Sequence, residues 1–206
     1  MPMYVLAVMS QKGGAGKTTL AVHLAVEANR QGIRVELIDT DPQQSAGVWA
    51  RARGGESPAV THIQPTKLST ALDQRRKDGV ELVIVDTAPH TGPDAVDIAR
   101  LAGRVLIPVR PGVFDLAAAR QTIGIVREAG VVSMLVLSAC PHRAPEVPMA
   151  REALAMSGLP VAETQIGDRR SFSRAIQTGR AVSEFEPEGK AADEIRMLLK
   201  EVLNFR

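Results

Sequence analysis

Gln11-Lys12-Gly13-Gly14-Ala15-Gly16-Lys17-Thr18 is the stretch that decides the fold of this 206-residue chain. It follows an apolar run, Tyr4-Val5-Leu6-Ala7-Val8-Met9, with the length and β-branching of a buried strand. It precedes an apolar, Ala-rich segment, Leu20 to Gln31, that reads as a helix ending at Gly32. Strand, glycine loop, lysine, hydroxyl and helix come in the order needed to hold a nucleotide phosphate. Glycines let backbone N–H groups curl around phosphate oxygens, and the helix N-terminus adds a positive dipole end. Lys17 then reaches the β- and γ-phosphates and Thr18 is placed to ligate Mg²⁺.

Working outward, Val35-Glu36-Leu37-Ile38-Asp39-Thr40-Asp41-Pro42 is an apolar strand running into acids and a proline, and Leu82-Val83-Ile84-Val85-Asp86-Thr87-Ala88-Pro89 repeats the device. Each puts a carboxylate at the carboxyl end of a buried strand, the ligand edge of an open α/β sheet. A carboxylate there can hold Mg²⁺ through water or orient an attacking water. Apolar strand-like runs recur at 4–9, 33–38, 81–86, 104–109 and 131–138, with helix-like segments at about 17–31, 45–53, 66–78, 93–101, 114–129 and 146–157. The alternation predicts βαβ units: an α/β, doubly wound, mostly parallel sheet with helices on both faces. Thr61 to Gln64 and Val161 to Gln165 are candidate short edge strands, and Lys190 to Leu203 carries apolar residues at helical spacing. No repeat or linker interrupts the chain, so residues 1–206 are expected to form a single domain.

The loop departs from the usual phosphate-loop pattern, which wants a glycine where Gln11 stands, and it carries a second lysine, Lys12, before the glycine pair. In this it resembles the deviant Walker A motif, KGGxGK[ST], of the ParA/MinD family of P-loop ATPases. The resemblance is close over 4–20, 35–44 and 82–89, continues through Val105 to Pro111 and Phe114 to Leu116, and loosens from about residue 138. It implies that ATP and Mg²⁺ are the cofactors. Gly13, Gly14, Ala15, Gly16, Lys17, Thr18 and Thr19 then bind the nucleotide, and Thr18, Asp39 and Asp86 serve the metal. Asp39 and Asp86 look like the family's switch I and Walker B acids. Asp39, which opens the Asp-Thr-Asp-Pro turn, is the better candidate to orient water, and Asp86 to hold the metal, although the two roles remain interchangeable at this level. Asp41 reads equally well as a cap for the helix starting near Pro42. The family's extra lysine reaches across a dimer to the partner's phosphates, which makes Lys12 catalytic beside Lys17 and Asp39 and implies an ATP-dependent homodimer. The stretches 108–115 and 138–143 fall where the family holds adenine and ribose, which points to Pro108 and Pro111.

The closest likeness is to small ParA-type partition ATPases without a DNA-binding domain ahead of the loop. Basic residues near Asp168-Arg169-Arg170-Ser171-Phe172-Ser173-Arg174 and Arg180 contact nonspecific DNA in those proteins, so Arg169, Arg170, Arg174 and Arg180 are the expected DNA contacts. The alternative is a solvated helix face whose arginine stems cover apolar surface. The implied activity is ATP hydrolysis, stimulated by a ParB-like or other partner protein, that positions a plasmid, a chromosome or a protein assembly.

Composition bounds these readings. Hydrophobic residues make up 45% and charged residues 23% of the chain, as in an ordinary globular protein. A formal net charge of +2 is too small to argue for nucleic acid by itself. Cys140 is the only cysteine, so no intrachain disulfide forms and an iron–sulfur relative is disfavoured. No basic leader precedes the first apolar run and no stretch approaches the roughly 20 residues of a membrane span, so a cytoplasmic protein is expected, and the ParA likeness implies that it is nucleoid-associated. A MinD-like membrane cycle would need a basic amphipathic tail. Here Lys190, Arg196, Lys200 and Arg206 are nearly balanced by Asp193, Glu194 and Glu201, and no membrane partner is expected. A metabolic ATP-dependent ligase on the same scaffold is the other alternative. His23, His62, His90 and His142 have no metal-ligand spacing.

Overall fold

The computed structural model describes residues 3–89 and 93–205; His90 and Arg206 fall outside them. In chain order the elements are β1 (Tyr4–Val8), α1 (Lys17–Arg30), β2 (Val35–Asp39), α2 (Ser45–Arg53), β3 (Ala59–His62), α3 (Leu68–Lys77), β4 (Leu82–Asp86), α4 (Pro93–Ala102), β5 (Arg104–Val109) and α5 (Val113–Ala129). There follow β6 (Val132–Leu137), α6 (Glu146–Ala155), α7 (Arg170–Gln177), α8 (Val182–Phe185) and α9 (Lys190–Asn204). The described strands form one parallel sheet in the order β3-β2-β4-β1-β5-β6. β1 is central, so the loop that follows it opens at the middle of the ligand edge, where strand order reverses.

Both faces of the sheet are covered, and successive strand residues feed opposite cores. Leu6, Val8, Leu37, Ile84, Leu106 and Val136 pack with α1, α2 and α9. Val5, Ala7, Ile38, Val85, Ile107 and Leu135 pack with α3 to α6. This is why the strands read as unbroken apolar runs rather than alternating ones. The apolar stripe of α9 (Ile195, Leu198, Leu199, Val202) is seated in the first core, beside α1.

One sequence expectation changes. Val161 to Gln165 forms no strand. It makes a single parallel bridge between Val161 and Leu135, and the N–H groups of Glu163 and Thr164 turn instead to the Glu201 carboxylate, at 2.8 and 2.9 Å. The arginine-rich segment is helical, as the helix-face alternative had it: Arg170 to Gln177 form α7, followed by the short α8.

Candidate nucleotide site

The loop from Ser10 to Gly16 joins β1 to α1 and turns on two left-handed residues, Gly14 (φ 74°) and Gly16 (φ 97°). Gly16 is doubly constrained, because a Cβ there would lie 2.8 Å from the Ser138 hydroxyl. No side chain caps α1 and its first turn has no acid, so its leading N–H groups face a cavity of about 420 Å³. Gly13, Gly14, Lys17, Thr18 and Thr19 line that cavity, while Ala15 is buried. The buried Lys17 ammonium donates to the carbonyls of Ser10 (3.1 Å) and Lys12 (3.3 Å), so the loop's own backbone holds it in place. Burial lowers its pKa, against the opposing pull of Asp86 and Asp41.

Lys12 does not line this cavity. Its ammonium pairs at 2.8 Å with the carboxylate of Asp115 in the first turn of α5, and about a third of its side chain remains exposed.

Asp39 and Asp86 are register partners at the ends of β2 and β4, and both are fully buried. Their surroundings differ. Asp39 accepts the N–H of Asp41 at 2.9 Å through Oδ1, and those of Ala46 (3.1 Å) and Gly47 (3.4 Å) through Oδ2. Asp39 therefore caps the start of α2, the role the sequence offered to Asp41. Burial raises its pKa even against those three amides. The Asp41 carboxylate accepts only the Gln43 N–H among the described backbone groups, and Asp41 is half-exposed and lines the phosphate cavity. Among the described residues, Asp86 has no hydrogen-bond partner on either oxygen. Burial raises its pKa to about 7; the nearby Thr18 hydroxyl and Lys17 pull it down, and Asp39 and Asp41 push it up. Two orphaned, buried carboxylate oxygens beside a hydroxyl and a lysine suit the donor set of a hydrated divalent cation.

A second cavity of about 510 Å³ adjoins the first and shares Gly16, Thr19 and Arg110 with it. Its walls come from Ser138 after β6 and from Asp168, Arg169, Arg170 and Phe172. Pro108 lies buried within β5 and Pro111 is buried beyond it; neither lines either cavity, whereas Arg110 between them lines both. Sequence reading passed over Arg110, although its place at the carboxyl end of a parallel strand was the available signal.

The four expected DNA contacts divide. Arg169 is half-buried and its guanidinium pairs with Glu194 at 2.5 Å. Arg169 and Arg170 both line the second cavity, while Arg174 and Arg180 are exposed away from it. His62 and His142 are exposed and His23 is buried. Among the described residues no cluster of three metal-ligating side chains occurs, and no helix is long and apolar enough to cross a membrane.

The model of the CobQ/CobB/MinD/ParA nucleotide-binding domain matches residues 6–182 of the chain. The maintenance of carboxysome distribution protein A of Gloeobacter kilaueensis is 33% identical over 193 residues, covering 92% of this chain and 88% of that protein. Protein ParA of Rhizobium radiobacter is 30% identical over 191 residues, covering 86% and 84%. Among solved structures, apo McdA of Cyanothece superposes with a TM-score of 0.80 at 17% identity, over 98% of this chain and all of that one.

Proposed function

The chain belongs to the CobQ/CobB/MinD/ParA nucleotide-binding family, and from that premise we propose that it is a ParA-type positioning ATPase whose Mg²⁺-ATP form is a homodimer. A positioning ATPase of this family is a P-loop enzyme that hydrolyses ATP. The finer reading is that ATP closes two copies face to face, that the dimer holds nonspecific DNA, and that a partner protein triggers hydrolysis to move a cargo.

The observation that carries the dimer is the division of labour between the two loop lysines. Lys17 is buried inside its own phosphate cavity, and Lys12 stands outside it on an ion pair with Asp115. A partly exposed pair of this kind is weak, and phosphate is a better partner for an ammonium. A second copy facing the loop offers one. The γ-phosphate then supplies contacts available only in the dimer, and ATP favours association by mass action.

The chain's own residues divide the work as follows. Backbone N–H groups of the loop and Lys17 hold the β- and γ-phosphates, and Asp86 with Thr18 would hold Mg²⁺, which neutralises phosphate charge when bound. We assign the water-orienting role to Asp41 and not to Asp39: Asp41 lines the cavity, and Asp39 is spent on the cap of α2. Asp39 instead fixes the turn that presents Asp41, through the Asp41 N–H.

The cargo is left open by the relatives, one of which is named for carboxysome distribution and another simply ParA. The test is hydrolysis and mass in parallel. Asp41→Ala should bind ATP, turn it over at least about tenfold more slowly, and sediment at twice the monomer mass with ATP but not with ADP. Adding Lys12→Ala should return it to monomer mass with nucleotide still bound. A nucleotide-loaded Asp41→Ala protein that stays monomeric would sink the dimer, and normal turnover would return the water-orienting role to Asp39.

A further inference from the structure

Arg110 stands at the carboxyl end of β5, and its main chain is held on both sides. The Val109 carbonyl accepts the N–H of Ser138 at 2.9 Å, and buried Pro111 leads into Gly112, whose carbonyl accepts the N–H groups of Asp115 and Leu116 in the first turn of α5. The side chain is exposed and, among the described residues, makes no hydrogen bond or ion pair. A rigid backbone therefore carries a free guanidinium to the rim of the nucleotide site.

Its position along that site is fixed by which residues share the two cavities. The first cavity holds the machinery for the terminal phosphates: Lys17, Thr18 and Asp41. The second is walled by Ser138 and Asp168, and on the ATP reading the base end falls to it. Gly16, Thr19 and Arg110 line both. A nucleotide threaded through the two cavities has its α-phosphate and ribose at that junction. A planar guanidinium has five N–H donors and no acceptor, which matches a phosphate and not a ribose hydroxyl that also needs a donor accepted.

We propose that Arg110 clamps the α-phosphate of the bound nucleotide, holding ATP and ADP equally. The inference rests on the reading of the loop as an ATP site. Its consequence is that Arg110 sets nucleotide retention and the rate of ADP release, and takes no part in sensing the γ-phosphate.

The experiment is a calorimetric titration of ATP and of ADP, each with Mg²⁺, into the wild type, Arg110→Gln and Arg110→Lys. Arg110→Gln should weaken both nucleotides by about tenfold, the size of a lost charge-assisted contact, with the ATP-to-ADP affinity ratio unchanged. Arg110→Lys, which keeps the charge, should recover part of the loss for both. Unchanged affinities, a loss confined to ATP, or no recovery with lysine would each overturn the clamp. Wild-type protein that binds neither nucleotide would overturn the ATPase reading itself, which keeps the two failures apart.

Discussion

His23 is an imidazole sealed inside the first core. Its Nδ1 accepts the N–H of Val182 at 3.1 Å, and its ring meets Phe172 edge-on at 5.0 Å between centroids. Burial lowers its pKa to about 3, far outweighing the nearby Glu184. The folded state therefore keeps His23 neutral where the unfolded chain, titrating near about 6.5, takes up a proton. The stability this confers is complete above the unfolded pKa and is lost as pH falls from there toward the folded pKa. His23→Asn keeps an acceptor for Val182 and removes the proton. Urea unfolding of the wild type should lose about 2 kcal/mol more than the variant between about pH 7 and about pH 5. Parallel pH profiles would mean that His23 is charged in the folded protein. At this scale the glycine loop was legible because its chemistry is contiguous in sequence. The division between Asp39 and Asp41 was not. Both are acids at the end of one strand, and only the position of α2, whose amides reach back to Asp39, decides which carboxylate is free to face the cavity.

Among the elements, α2 bridges the nucleotide site and the arginine segment. Its N-terminus is capped by Asp39 and its C-terminus is fastened to the turn between α7 and α8. Arg53, nearly fully buried, pairs with Glu184 at 2.7 Å and also donates to the carbonyls of Gly179 and Ser57. Its guanidinium lies over Trp49, 5.0 Å from the ring centroid, and the Trp49 indole donates to the Arg180 carbonyl. Gly179 permits this contact, since a Cβ there would come within 2.5 Å of the α2 backbone. Arg53→Ala strands the Glu184 carboxylate in a partly buried site and should cost about 3 kcal/mol in urea unfolding. The Arg53→Ala, Glu184→Ala double variant should cost less than the two singles summed. Strict additivity would show that the pair does not couple. The periodicity of 45–53 was readable because a helix is local. The partners of α2 lie more than a hundred residues away, so the packing of α7 and α8 against it could not be placed from the sequence, and the arginine segment was left between DNA contacts and a solvated helix face.

At the scale of the whole molecule, the proposed dimer bears on what the exposed arginines do. The net charge of +2 gives no long-range pull toward nucleic acid, so any grip on duplex DNA has to come from local clusters doubled by symmetry. Arg169 is tied to Glu194, and both it and Arg170 border the nucleotide cavity, so changing either disturbs ATP and DNA together. Arg174 and Arg180 are exposed away from that cavity, and α2 links their segment to the turn that carries Asp41. Two such side chains are a weak footing for a monomer, whereas four on the proposed two-fold dimer would bind as one multivalent surface. Retention of duplex DNA by the Asp41→Ala protein should therefore require ATP, ignore sequence and weaken steeply with salt. Arg174→Glu with Arg180→Glu should abolish it while leaving ATP affinity and the doubled mass intact, as a gel-shift assay at low salt beside sedimentation would register. If an ATP-loaded dimer with all its arginines intact holds no duplex even at low salt, the DNA step is wrong. The cargo would then have to be positioned on a protein scaffold, with these arginines meeting acidic side chains in place of phosphates.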